Sequence, residues 1–223
     1  CGWVTDGMYN VRNVMADTLK AWRVNLVRLN FSYRFLAQGD NLTKYLDMAQ
    51  ELAARGIYVM PSDHTYTGGS LVNSGGSYPM MKAIIDGMRA RGIYDYLVVG
   101  TPNEPGPDVT PSAWLSAMRN YLTFLRSQNG YDGVVVMDGW GWATMTTPND
   151  AIDVATFKQI QAFDATLRAN GQANVVMSQH IYPNIKDLPA KIWDAANQIP
   201  LIIGEVGIEN PGASAYDAAY VRS

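Results

Sequence analysis

Six short apolar runs, each bounded by turn residues, recur along this chain of 223 residues. They are rich in β-branched residues and almost continuously apolar inside, as in Leu97-Val98-Val99, and they lie at 25–30, 56–62, 96–104, 133–139, 174–180 and 200–205. Strands covered by helices on both faces of a parallel sheet have this pattern, whereas half-exposed strands alternate apolar and polar residues. The runs therefore predict six buried, parallel strands.

Helical periodicity fills the segments between these runs. Apolar residues recur there every three or four positions, and Thr110-Pro111 supplies a cap residue and a first-turn proline. The predicted helices lie at 11–22, 42–53, 79–91, 111–130, 154–170 and 188–197, with a last one at 214–223. Alternating strands and helices indicate a parallel α/β architecture, either an open doubly wound sheet or a closed barrel. Strand starts are on average 35 residues apart, so eight units would need about 280 residues, inside the usual barrel range of roughly 200 to 400.

Length and composition are those of an ordinary globular protein, and we predict a single domain over residues 1–223 that acts as a monomer. The chain is 48% apolar and 17% charged, with a formal net charge of −3. It has no run of five or six Lys or Arg, so we expect neither nucleic acid nor an anionic membrane as a partner. No apolar run approaches the roughly 20 residues that cross a bilayer. Cys1 is the only cysteine, which excludes an intrachain disulfide and a multi-cysteine metal site.

Polar residues stand where the predicted strands end. They are Arg28, Asp63, His64, Asn103, Glu104, Asp138, His180, Tyr182 and Glu205. In a parallel barrel, chemistry collects at the carboxyl ends of the strands, while packing side chains fill the middle. These residues are therefore the candidates for a functional site.

Arg28 lies inside an otherwise apolar strand and needs an acidic partner, because an unpaired buried charge is costly. Closure into a barrel would offer it Glu205 and Glu104. Two carboxylates from different strands, with an arginine between them, suit glycoside hydrolysis. They equally suit a structural ion-pair network, and the residue types alone leave both interpretations open.

Two motifs carry a resemblance to a known family. Thr101-Pro102-Asn103-Glu104-Pro105 resembles the Asn-Glu-Pro signature at the fourth strand of retaining glycosidases with an eight-stranded barrel. Ile202-Ile203-Gly204-Glu205 resembles their seventh-strand nucleophile motif. Around these motifs the chain resembles glycoside hydrolase family 5, the cellulase and mannanase family, over essentially its whole length. The resemblance implies a TIM-type (β/α)8 barrel, of which about six units are evident.

The resemblance also implies roles for seven positions. Glu104 matches the acid/base and Glu205 the nucleophile. The others match residues around the nucleophile or the central sugar: Arg28, which steadies the nucleophile, His64, which touches the sugar, Asn103, which holds the 2-hydroxyl, His180, beside the acid/base, and Tyr182, bonded to the nucleophile. The family's tryptophan at the end of strand eight has no match before Ser223, and strand one would be a stub near Cys1-Gly2-Trp3-Val4, so we expect a barrel trimmed at both ends.

The implied reaction is retaining hydrolysis of a β-1,4-linked polysaccharide or oligosaccharide, without a cofactor. We expect an endo-β-1,4-glucanase (a cellulase) first, a β-mannanase or another β-glycanase of the family second, and a catalytically inactive carbohydrate-binding fragment as the alternative from another class. We also expect a secreted, extracellular protein whose leader has been removed.

Two further features have competing interpretations. Trp140 and Trp142 lie among glycines directly after the run at 133–139, which corresponds to the family's fifth strand. There they could stack on sugar rings or pack beneath the loop. His64 and His180 could bind zinc together with Asp63 or Glu205. However, the chain has no His-x-His or His-Glu-x-x-His spacing, so we expect no metal site.

Overall fold

The computed structural model describes residues 6–69, 76–146, 151–182 and 188–207. These residues contain six strands: β1 (Leu26–Phe31), β2 (Tyr58–Asp63), β3 (Val99–Gly100), β4 (Val135–Asp138), β5 (Val175–Ile181) and β6 (Leu201–Val206). Each coincides with one of the predicted runs, which are thereby confirmed. The ladder of β3 is short because Pro102 follows it closely and has no amide hydrogen to donate.

All pairing between these strands is parallel and follows chain order. β1 pairs with β2, and β3, β4, β5 and β6 pair in sequence. A parallel bridge between Val59 and Leu97 joins the two groups, and the amide of Val98 donates to the carbonyl of Val59 at 3.0 Å. An open doubly wound sheet reverses its strand order at one point, and no reversal occurs here within the described ranges. The order is that of a β/α barrel.

Helices connect the strands on the outside. In chain order they are α1 (Asp6–Asn10), α2 (Arg12–Ala21), α3 (Tyr33–Leu36), α4 (Asn41–Ala53), α5 (Ser77–Ala90), α6 (Pro111–Thr123), α7 (Val154–Leu167) and α8 (Leu188–Ala196). A 3-10 turn at Tyr94–Tyr96, a π-helical turn at Phe124–Gln128 and a short irregular turn at Trp140–Ala143, with left-handed backbone at Gly141 and Trp142, complete the set for these ranges. Across the described residues, no helix combines the length and apolar character needed to span a membrane.

The predicted helices are confirmed apart from 214–223, which lies outside the described residues. Thr110 caps α6 as expected, its hydroxyl accepting from the amide of Ala113 at 3.2 Å. The predicted apolar face of α2 is only partly buried, since Val11, Val14 and Trp22 are exposed.

Side chains from the strands and the inner faces of the helices form one continuous core. Most described methionines belong to it, as expected from their positions: Met48, Met60, Met81, Met88, Met118, Met137, Met145 and Met177 are buried. Gly100 allows β3 to lie close to β2, because a Cβ there would be 2.8 Å from the carbonyl oxygen of Pro61.

A buried ion pair stabilises the amino-terminal end of the barrel. Arg126 Nε donates to Asp164 Oδ1 at 2.8 Å and Nη2 donates to Oδ2 at 3.2 Å. The same guanidinium donates to the carbonyls of Gly133, two residues before β4, and of Asn174, directly before β5. The pair therefore ties α7 to the entry points of two strands.

We predict that Asp164→Ala lowers the free energy of unfolding by about 3–5 kcal/mol, because it leaves the Arg126 guanidinium buried without its carboxylate. Urea denaturation measures this directly. Asp17→Ala is the control, since it breaks an exposed ion pair with Arg55 and should leave the unfolding midpoint almost unchanged. Equal effects of the two substitutions would contradict a stabilising role for the buried pair.

Candidate active site

The carboxyl ends of the strands bring together the residues singled out in the sequence. Arg28 lies on β1, His180 on β5 and Glu205 on β6. The others follow strands directly: His64 follows β2, Asn103 and Glu104 follow β3, and Tyr182 follows β5. All of these predicted positions are thus at one end of the barrel, opposite the Arg126–Asp164 pair.

The Arg28 guanidinium is the centre of this cluster, with its side chain 12% exposed. Its Nη1 forms an ion pair with Glu205 Oε1. Its Nη2 lies 2.7 Å from Asn103 Oδ1, 2.9 Å from Asp138 Oδ2 and 3.1 Å from Ser62 Oγ. The expectation that Arg28 lies between Glu205 and Glu104 is therefore wrong in one respect: its second carboxylate is Asp138, because Glu104 is bound by His180 instead.

Hydrogen bonds from other residues fix both the side chain and the backbone of Glu104. Its Oε1 lies 2.7 Å from His180 Nδ1, and its Oε2 accepts from Asn103 Nδ2 at 3.3 Å. The backbone is left-handed, with φ of 45°, a conformation that costs a non-glycine residue about 1–3 kcal/mol. Two backbone hydrogen bonds hold it there, from the Glu104 amide to Asp138 Oδ2 at 3.2 Å and from the Gly68 amide to the Glu104 carbonyl at 2.8 Å.

Glu205 faces Glu104 across the cluster. Its Oε2 accepts from the Tyr182 hydroxyl at 3.0 Å, and burial together with Glu205 raises the pKa of Tyr182. One carboxylate oxygen of Glu104 and one of Glu205 lie within 4.8 Å of each other, with His180 Nδ1 equally close. Retaining glycosidases hold their two carboxyl groups about 5 to 5.5 Å apart and inverting ones about 6.5 to 9.5 Å apart. The close approach of these oxygens is nearer to the retaining range than to the inverting range.

A β-bulge in β6 directs Glu205 towards the cluster. Gln179 pairs with Ile203 and His180 pairs with Glu205, so Gly204 is an extra residue on β6. A Cβ on Gly204 would overlap the hydroxyl of Ser178 and lie 2.9 Å from His180 Nε2. Bulges commonly re-aim a side chain next to an active site, and here the bulge needs a residue without a side chain.

Charges in the cluster are set by neighbouring groups. Burial disfavours the charged form of His180, but the carboxylates of Asp138 and Glu104 outweigh this and raise the pKa of His180 to about 9. Burial likewise disfavours ionised Asp138, but His180 and Arg28 lower the pKa of Asp138 to about 2. Burial and the nearby Arg28 lower the pKa of His64 to about 4. At neutral pH, His180 is therefore a cation, Asp138 an anion and His64 neutral.

The two tryptophans after β4 have different environments. Trp140 is 6% exposed and packs edge-to-face on Trp114, with ring centroids 5.5 Å apart. The structure therefore places Trp140 in the core, so of its two interpretations packing beneath the loop is correct and the predicted substrate contact is not. Trp142 is 45% exposed, and its indole lies directly over Gly68 of the loop after β2. Only Trp142 is available at the rim.

Asp138 is the site residue to which sequence reasoning assigned no role. It ends an apolar strand just as Glu205 does, and that position was its only signal. Neither motif of the family resemblance includes it. Its contacts with Arg28 and the Glu104 amide show that it belongs to the cluster.

The described residues offer one group that could supply metal ligands, and it is not the predicted set. Glu104, His180 and Glu205 each present a ligand atom within 4.8 Å of the others. A metal ion at this group would have to displace the proton that His180 keeps at neutral pH, because a ligating imidazole is neutral. Asp63, the other predicted ligand, is engaged by the amide of Thr65 at 2.9 Å and by the hydroxyl of Ser77.

We predict that Gly204→Ala lowers the free energy of unfolding by about 1–3 kcal/mol, because an added methyl group overpacks the space beside Ser178 and His180. Urea denaturation provides the measurement. Gly69→Ala is the matched control, since its Cβ would meet the Tyr66 carbonyl at an ordinary 3.5 Å. A Gly204→Ala protein as stable as the control would show that the bulge does not need glycine.

Comparison with protein-family models gives a match over almost the whole chain. The family model described as Cellulase (glycosyl hydrolase family 5) matches residues 1–222. Comparison with curated protein sequences finds no match.

Similar solved structures include mannanases and a cellulase. The catalytic domain of a mannanase from Streptomyces sp. SirexAA-E has a TM-score of 0.71 and 20% identity, covering 94% of this chain and 65% of that one. A mannohexaose complex of Thermomonospora fusca β-mannanase has a TM-score of 0.66 and 21% identity, covering 89% and 66%. The cellulase Cel5C_n has a TM-score of 0.59 and 19% identity, covering 94% and 64%. This chain thus spans about two thirds of each neighbour's length, and at these identities the likeness establishes the fold.

The family resemblance and the fold class predicted from the sequence are both confirmed. The described strands form about six β/α units of a barrel that has eight in the complete family fold. The chain belongs to glycoside hydrolase family 5.

Proposed function

We propose that this chain is a retaining glycosidase that cleaves β-1,4-linked polysaccharide, with Glu205 as nucleophile and Glu104 as acid/base. The observation that carries the proposal is the approach of their carboxylate oxygens to within 4.8 Å. A covalent sugar ester on one carboxylate requires the other to be close enough to serve both half-reactions. A spacing this short favours the retaining arrangement over an inverting one, whose carboxyl groups stand about 6.5 to 9.5 Å apart.

In the first half-reaction, Glu205 attacks the anomeric carbon while Glu104 gives its proton to the departing glycosidic oxygen. The bond between the anomeric carbon and the glycosidic oxygen breaks, and a glycosyl ester forms on Glu205. Arg28 and Tyr182 hold the two oxygens of Glu205 in place for this attack. His180 donates from Nδ1 to Glu104 and orients it towards the leaving group.

In the second half-reaction, Glu104 takes a proton from water, and the water oxygen attacks the anomeric carbon. The ester bond to Glu205 breaks and the sugar leaves with its original anomeric configuration. We propose that the Asn103 amide, which contacts Arg28 and the Thr67 hydroxyl at 2.9 Å, binds the 2-hydroxyl. A hydrogen bond that strengthens as positive charge develops on the ring favours the transition state over the ground state. Neutral His64 completes the pocket as a sugar contact.

Trp142 is the residue we propose for contacts beyond the central sugar. Its backbone is left-handed, with φ of 62°, and its amide donates to the Pro105 carbonyl at 2.9 Å. This conformation directs the half-exposed indole over Gly68, between the loops that follow β2 and β4. An aromatic face at that position suits a pyranose ring.

β-1,4-Glucan is the first substrate we propose, and β-mannan is the second. The family model is described as Cellulase, and mannan receives specific support from the mannanases among the similar structures. We further propose that the protein acts outside the cell, because an insoluble polysaccharide cannot enter one. Monomeric action, without nucleic acid or membrane partners, stays a prediction.

We predict that Glu104→Ala lowers kcat by about 10²–10⁴-fold, the usual contribution of a general acid–base group. With an aryl β-glycoside that has a good leaving group, added azide should restore turnover and give a β-glycosyl azide, because azide attacks the ester on Glu205 without needing a base. Glu205→Ala should lose activity altogether, and azide should then give the α-glycosyl azide in a single displacement. Reducing-end assays and product NMR measure these outcomes.

Three results would contradict the proposal. Binding of carboxymethylcellulose, β-glucan or glucomannan without release of reducing ends would support a catalytically inactive binding fragment. Loss of activity in a chelator would support metal catalysis. Inverted product from the unsubstituted protein would exclude the double displacement. The ratio of kcat/KM values on glucan and mannan decides between the two substrates.

A further inference from the structure

Asp138 contacts a partner of each proposed catalytic glutamate. Its Oδ2 lies 2.9 Å from Arg28 Nη2, and Arg28 holds Glu205. Its Oδ1 lies 3.4 Å from His180 Nε2, and His180 holds Glu104. Its Oδ2 also accepts a hydrogen bond from the backbone amide of Glu104. Among the described residues of the cluster, Asp138 thus joins the two halves of the site while neither proposed catalytic role falls to it.

Charge counting explains why such a carboxylate is needed, provided that the proposed function is correct. Before the reaction, the cations Arg28 and His180 face the anions Asp138 and Glu205, while Glu104 carries the proton to be transferred. After the first half-reaction, Glu205 is an uncharged ester and Glu104 is ionised. The cluster is therefore neutral in both states, and without Asp138 it would carry one excess positive charge throughout. Excess positive charge opposes a transition state that is itself cationic at the sugar.

We infer that Asp138 is a positioning residue that holds Arg28 and His180 in the geometry and the charge state that both half-reactions need. It acts through these two residues and does not touch substrate. Its own backbone is fixed for this purpose, with the amide donating to Thr101 Oγ1 at 2.9 Å.

The titration of the His180 imidazole reports this role, because Asp138 is one of the charged or titratable groups that neighbouring strands bring close to it. These are Asp138 from β4, Glu104 after β3, Glu205 from β6 and His64 after β2. Asp138→Asn removes the negative charge of Asp138 from this set of groups without substituting any of the others. The pKa of His180 should then fall from about 9 towards the ordinary value of about 6.5.

The test compares Asp138→Asn with Asp164→Asn. Both substitutions keep the side-chain shape and remove a buried carboxylate that is paired with an arginine, but Asp164 lies at the opposite end of the barrel. With histidine labelled by ¹⁵N, the two imidazoles of the chain can be titrated by NMR, and a His64→Gln protein assigns the signals. Steady-state kinetics on an aryl β-glycoside, measured across pH, form the second readout.

The expected results separate positioning from mere stability. In Asp138→Asn, kcat should fall by about 10- to 100-fold with little change in KM, which is the usual scale for disturbed positioning. The alkaline limb of the kcat/KM profile should move to lower pH together with the titration of His180. In Asp164→Asn, neither the limb nor the His180 titration should move, even where stability falls.

Two results would overturn the inference. One is a His180 that titrates near 6.5 in the unsubstituted protein, a measurement that stands even if Asp138→Asn does not fold. The other is a His180 titration that Asp138→Asn leaves unchanged. Neither NMR measurement requires turnover, so a protein that hydrolyses no glycan would refute the proposed function while the imidazole titrations still decide the role of Asp138.

Discussion

A guanidinium on an otherwise apolar strand has to be neutralised, and the arrangement of this active-site end follows from how Arg28 is neutralised. Its partners are Glu205 on β6, Asp138 on β4, Asn103 after β3 and Ser62 on β2. Leaving a buried charge unpaired costs several kcal/mol, so strands that do not pair with β1 must converge on it. The curvature of the barrel and the placement of the proposed nucleophile are consequently parts of one interaction.

Stability and chemistry are divided between the two ends of the barrel. At the amino-terminal end, Arg126 and Asp164 form a closed pair whose donors are used on carboxylate and carbonyl oxygens. At the other end, Glu104 and Trp142 are held in left-handed conformations. Strain of this kind persists only where surrounding contacts over-determine it, and it collects at functional sites. This division is typical of parallel barrels.

Sequence patterns were sufficient for the architecture and for the proposed catalytic pair. The strands were predictable because burial on both faces removes the alternation of polar residues, and the glutamates because each lies in a short motif at a strand end. His180 beside Glu104 and Tyr182 bonded to Glu205 also agree with the contacts expected from the family resemblance.

Side-chain direction was not predictable from the same patterns. The different environments of Trp140 and Trp142 depend on left-handed backbone at Gly141 and Trp142, which apolar periodicity does not report. The pairing of Arg28 with Asp138 instead of Glu104 depends on where His180 lies, and the bulge at Gly204 helps to set that position. Such choices arise from contacts between distant segments, so no local window of sequence contains them.

The central claim is that Glu205 forms a covalent bond to the sugar, and trapping that ester is its most direct test. A 2-deoxy-2-fluoro β-glycoside with a good leaving group slows release of the intermediate more than its formation. After incubation and proteolysis, mass spectrometry should find one added fluorosugar, located on the peptide that contains Glu205. A label on another residue, or hydrolysis of the reagent with no labelled peptide under quenched conditions, would contradict the account.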